Sequence, residues 1–154
     1  MKAARQLTIA LLTVISLSAL YIGYQLITDP TGASLGLPFY LLNGTLLTSY
    51  AVMGWIMVFT LGLLSALILV LILTKSRYYS FMTIVQGVIA CLVIFLQWLL
   101  LNETFALQYV YLIMGITLIG LGILQYQRRI AYETEGKQVR PAPKSRHHKH
   151  RRKK

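Results

Sequence analysis

Between Leu7 and Thr74 the chain carries one charged residue, Asp29, and between Tyr78 and Gln127 one more, Glu103. Few folds tolerate such a pattern. A soluble core built from 154 residues cannot bury that much apolar sequence, whereas a bilayer can, if every backbone polar group is satisfied inside the chain. A hydrocarbon layer of ~30 Å takes about 20 apolar residues in a helix. Four stretches reach that length, about 7–28, 48–74, 81–101 and 106–126. The second exceeds what the layer requires, which predicts tilt or protrusion.

The connectors fit this division. Asp29, Pro30, Thr31 and Gly32 are consecutive turn formers that end the first span, since the residue before proline avoids the helical region. Lys75-Ser76-Arg77 and Asn102-Glu103-Thr104 are short polar turns, and short turns make neighbouring helices antiparallel. The expected fold is therefore an all-α bundle of four antiparallel transmembrane helices. The connector from Asp29 to Leu47 is longer, and Phe39-Tyr40-Leu41-Leu42 within it is too apolar for a free loop. A short interfacial helix is expected there, with Pro38 in its first turn. Gly32 and Gly36 match the dimerisation pattern of small residues four apart, but outside any span the match carries no weight.

Basic residues set the orientation. Lys2 and Arg5 precede the first span, Lys75 and Arg77 separate the second from the third, and Arg128 and Arg129 follow the fourth; the other two loops have no Lys or Arg. Both termini are expected in the cytoplasm. Aromatic residues mark the two interfaces, with Phe39, Tyr40, Trp98, Tyr109 and Tyr111 near one and Tyr78, Tyr79, Phe81 and Tyr126 near the other. The first span also admits a reading as a cleaved signal peptide, with small residues at Ser16, Ser18 and Ala19, although its apolar run to Ile27 is long for one. The fourth helix is expected to continue to Tyr132, with Gly136 as a stop. This divides the chain into a bundle at 1–132 and a cytoplasmic tail at 133–154, expected to be disordered because nothing in it can form a core.

Within the spans no residue is ionisable, which disfavours proton-driven transporters, voltage sensors and ion pumps. What polarity remains is arranged in stripes. Gln86, Ala90, Val93 and Gln97 share one face of span three, and Gln108, Tyr111, Gly115, Leu118, Gly122 and Gln125 share one face of span four. Ser16, Ala19 and Gly23 line span one; Gly54 and Ser65 lie on one side of span two. Two readings are open for Gln86, Gln97, Gln108 and Tyr111. One is helix packing through small residues and interhelical amide bonds, each of ~0.6 kcal/mol; the other is a small polar ligand site between spans three and four. Cys91 reads as apolar filler without a disulfide partner. Asp29 and Glu103 read as solvated caps. Two glycosylation sequons, at Asn43 and Asn102, lie too close to the membrane to expect modification.

The net charge of +11 resides largely in the tail, where Lys144, Arg146, Lys149, Arg151, Arg152, Lys153 and Lys154 cluster. Anionic lipid attracts such clusters by ~1 kcal/mol per basic residue, and this is the expected contact. Nucleic acid is a weaker candidate, because no aromatic residue lies between the charges to stack on bases. His147, His148 and His150 sit among cations that repel a metal ion.

Phosphate-binding glycine loops, zinc-binding His-Glu-x-x-His and nucleophile elbows are missing from the sequence. No catalytic residue, metal site or cofactor is expected. Asp29-Pro30-Thr31-Gly32, followed by Leu35-Gly36-Leu37-Pro38, resembles the segment after the first span in small bacterial four-span membrane proteins of unassigned function, and Gln97-Trp98 is similar to a Trp/Gln segment in that group. The resemblance covers about residues 7–128. It implies a four-helix bundle and a bacterial origin, and no activity. The first expectation for function is a non-catalytic accessory or scaffold protein of the cytoplasmic membrane, packing on itself or on another membrane protein. The alternative is a small transporter or ligand-binding protein for a neutral or lipid-like molecule.

Overall fold

The computed structural model describes residues 2–42, 47–101 and 105–138. The chain is all-α across them, with no strand among the described residues. Four helices are long and apolar enough to cross a membrane: α1 (Lys2–Thr28), α2 (Ala51–Leu73), α3 (Tyr79–Leu100) and α4 (Ala106–Gln138). Each helix packs against its neighbours in chain order, and α4 returns to α1, so the four form an up-down-up-down ring. The α3–α4 and α1–α2 pairs are the most intimate. Large apolar side chains such as Leu17, Phe59, Leu92 and Ile113 are more than half exposed on the outside. In water that would be a liability; in lipid it is the expected surface.

Glycines let the closest pairs touch. A Cβ on Gly54 would lie 2.8 Å from the Gly23 carbonyl oxygen, and one on Gly23 would lie 2.9 Å from that of Gly54. Gly87 and Gly115 do the same across α3 and α4, at 2.6 Å and 3.1 Å. Lipid offers no hydrophobic drive between helices, so close backbone approach and the dispersion it allows become the main attraction.

Several boundaries differ from the sequence expectation. The second span begins at Ala51 rather than near Thr48, because the preceding residues belong to the loop: Tyr50 N–H bonds the Pro30 carbonyl and its hydroxyl donates to the Pro38 carbonyl. The fourth helix passes Gly136 and ends at Gln138; glycine weakens a helix without obliging it to stop. The short helix of the outer connector is a single 3-10 turn at Phe39–Leu42, with Pro38 just before it, and a second 3-10 turn spans Ala33–Leu35. Gly32 and Gly36 flank that second turn at φ 76° and 67°, the left-handed region that glycine enters freely. Asn43, Gly44, Thr45, Asn102, Glu103 and the basic cluster from Lys144 to Lys154 lie outside the described residues.

The middle of α2, Met57–Leu63, is a π-helix. Leu64 N–H bonds the carbonyl of Phe59, five residues back, so the hydrogen-bond register slips before α-helix resumes. The next carbonyl, that of Thr60, takes a bond from outside the helix, from Gln86 Nε2 at 3.1 Å. Ser16 Oγ donates to the Gly62 carbonyl at 2.9 Å. Short π segments are rare and tend to sit where other groups meet the freed backbone.

Candidate functional site

At the end of the bundle beneath the Asp29–Leu42 loop, residues of all four helices line a half-open cavity of about 240 Å³. Gln97 of α3 and Gln108 and Tyr111 of α4 line it together with apolar residues that include Leu26, Tyr50, Met53 and Met57. The cavity is smaller than the ~300–1,000 Å³ of drug-sized sites.

The amides in this wall have a fixed orientation. Gln108 Oε1 accepts two hydrogen bonds, from Trp98 Nε1 at 2.9 Å and from Phe105 N–H at 3.1 Å. Its amide nitrogen is then the only end left to point at Gln97, and it donates to Gln97 Oε1 at 3.4 Å. An amide whose oxygen is so occupied turns its NH2 the other way. That NH2 makes no hydrogen bond among the described residues, and Gln97, 7% exposed, lines the cavity. The donor is open to the cavity, where a water or another occupant with an oxygen acceptor can take it up. Tyr111, 3% exposed, donates its hydroxyl to Ser18 Oγ at 2.7 Å and fixes the wall to α1.

The structure thus gathers Gln97, Gln108 and Tyr111 around one cavity and separates Gln86 from them. Gln86 is fully buried against the π segment, and its Oε1 has no partner. Cavity and π segment meet at Met57, which belongs to both. The space is bounded by all four helices and mostly apolar, not the polar slot between α3 and α4 that the stripes suggested. Tyr50 escaped the sequence reading. It is fully buried and closes the cavity from the loop side, and its place just before a span gave no periodic signal. Ser16 and Ser18, small residues that fit a signal-cleavage pattern, bond α2 and α4. Cys91 Sγ lies 3.0 Å from where a Gly115 Cβ would be, a packing contact.

In comparisons with family models, curated proteins and solved structures, nothing matches this chain. Its site therefore has to be read from its own chemistry.

That chemistry is limited. No group of three or more His, Cys, Asp or Glu that could hold a metal occurs among the described residues, and the cavity wall contains no acid or base. It offers apolar surface, one free amide donor pair and aromatic edges. Outside the spans, Asp29 caps the outer loop. Its carboxylate accepts from Thr31 Oγ1 at 2.5 Å, Thr31 N–H at 3.1 Å and Ser34 N–H at 2.7 Å. The Thr31 hydroxyl, then the Ser34 amide, hold its pKa below the ordinary aspartate value. The loop over the cavity is thereby fixed by Asp29 at one end and Tyr50 at the other.

Proposed function

We propose that this chain is a multi-pass protein of the bacterial cytoplasmic membrane, with both termini cytoplasmic, that binds a small neutral molecule in the outer cavity. The occupant is largely apolar and carries one oxygen acceptor, such as a carbonyl, ether or hydroxyl. The observation that carries this reading is the NH2 of Gln97, which is turned away from Gln108 at the cavity wall and makes no hydrogen bond among the described residues. Gln86 spends its donor on Thr60, whereas the Gln97 donor faces the cavity. The wall supports a binding role, since no carboxylate, histidine, lysine or arginine lines it among the described residues. The orientation rests on the basic residues at the other end of the bundle. The polybasic tail from Lys144 to Lys154 is assigned to anionic lipid on the same cytoplasmic side.

Gentle purification from native membranes, followed by native mass spectrometry, tests the reading. A stoichiometric small molecule of low polarity supports it. A bare chain bound stoichiometrically to another membrane protein would favour the accessory role instead.

A further inference from the structure

The opposite end of the bundle holds a second cavity, of about 460 Å³, and its character is reversed. Arg5 from the start of α1, Lys75 from the α2–α3 turn, and Arg128 and Arg129 from α4 converge on it. No carboxylate lines it among the described residues. Tyr79 and Tyr132 form part of its wall, and Leu124, 40% exposed, carries it toward the lipid-facing surface.

Topology requires only that basic residues lie on this side, anywhere in the loops. It does not require three separate segments to bring four cations around one hollow, where they repel one another. Part of that repulsion is offset by carbonyls: Arg5 Nη2 donates to Ile72 at 2.7 Å, and Arg129 donates to Arg77. Lys75 adds a second sign. Ser76 N–H bonds Leu71 and Lys75 N–H bonds Ile72, the helix-ending arrangement in which glycine normally takes the left-handed position. Here Lys75 takes it, at φ 53°, and a side chain there carries a steric penalty that glycine does not. A charged side chain thus sits at a place where the backbone favours glycine.

We infer that this cavity is a binding site for a phosphate group, supplied by the headgroup of an anionic phospholipid. Phosphate oxygens match several converging cations, the tyrosines suit the headgroup layer, and basic hollows between transmembrane helices are suited to such lipids. Free inorganic phosphate shares the chemistry but gains nothing from the apolar opening at Leu124.

The test uses the full chain in neutral detergent, titrated with phosphatidylglycerol or phosphatidylcholine and read by native mass spectrometry. Phosphatidylglycerol should be retained in preference to phosphatidylcholine. Each basic residue beside an anionic headgroup contributes about fivefold in binding. Lys75→Gly with Arg128→Gln should therefore weaken phosphatidylglycerol retention about 30-fold, and Lys75→Gly alone should leave the thermal midpoint unchanged or higher. The control Arg151→Gln with Arg152→Gln, in the tail, should retain the bound lipid. Equal retention of the two lipids, or a loss in the tail variant matching that in the cavity variant, would overturn the inference. Inorganic phosphate that displaces phosphatidylglycerol and raises the midpoint as much would overturn the headgroup as source.

Discussion

Gln86 Nε2 donates to the carbonyl oxygen of Thr60 at 3.1 Å, joining α3 to the π-helical turn of α2. The bond brings a side-chain donor to a carbonyl of the slipped segment, while Gln86 Oε1 stays buried and unpaired. One amide thus satisfies one polar group and leaves another unsatisfied. Replacing it by Leu removes the unpaired oxygen but strips the Thr60 carbonyl of this donor; the two effects oppose, so Gln86→Leu should cost no more than about 2 kcal/mol. Gln86→Glu should cost several kcal/mol, because it buries a charge and removes the donor. Unfolding in mixed micelles measures both.

The glycine crossings should respond to a single methyl group. Gly54→Ala would place Cβ 2.8 Å from the Gly23 carbonyl, and Gly87→Ala would place it 2.6 Å from that of Gly115. Backbone cannot yield as a side-chain tip can, so each should cost about 1–3 kcal/mol. Gly120→Ala is the internal control. Nothing lies within 4 Å of its Cβ, and the better helix former should be neutral or stabilising by up to about 1 kcal/mol. Thermal midpoints of the three variants in one detergent decide it.

Acid should loosen the outer loop through Asp29. Its folded pKa lies below the unfolded one, held there by the Thr31 hydroxyl and then the Ser34 amide. The stabilisation is therefore complete above the ordinary aspartate range and is lost as pH falls through the lowered folded value. The difference in thermal midpoint between wild type and Asp29→Asn should be constant near neutrality and shrink in acid. A difference independent of pH would remove the carboxylate from the account of the loop.

The faces that meet inside the bundle were legible because polarity is costly in lipid. Gln86, Ala90, Val93 and Gln97 on α3, and Gln108, Tyr111 and Leu118 on α4, are all buried, as their spacing indicated. The division of those residues into two places was also calculable: Gln86 and Gln97 are eleven residues apart, about 16 Å along a helix, too far to share one small cavity. The π segment was hidden, since no proline marks it and the groups that meet its carbonyls, Ser16 and Gln86, come from other helices. Tyr50 was equally hidden, because its burial depends on the loop folding over it. The basic cavity was half visible. In the sequence its charges read as topology signals, and only the packing of α1, α4 and the Lys75 turn brings them together.

The central claim is that Gln97 presents its NH2 to a bound molecule, and the most direct measurement compares occupancy in wild type and Gln97→Leu. Both proteins would be purified from the same native membranes and examined by native mass spectrometry at matched yield. Loss of the donor leaves the ligand's oxygen buried and unpaired, a cost of ~1–3 kcal/mol, so occupancy should fall by roughly 5- to 150-fold in affinity. A small molecule retained equally by both, or a wild-type chain that carries none, would contradict the account.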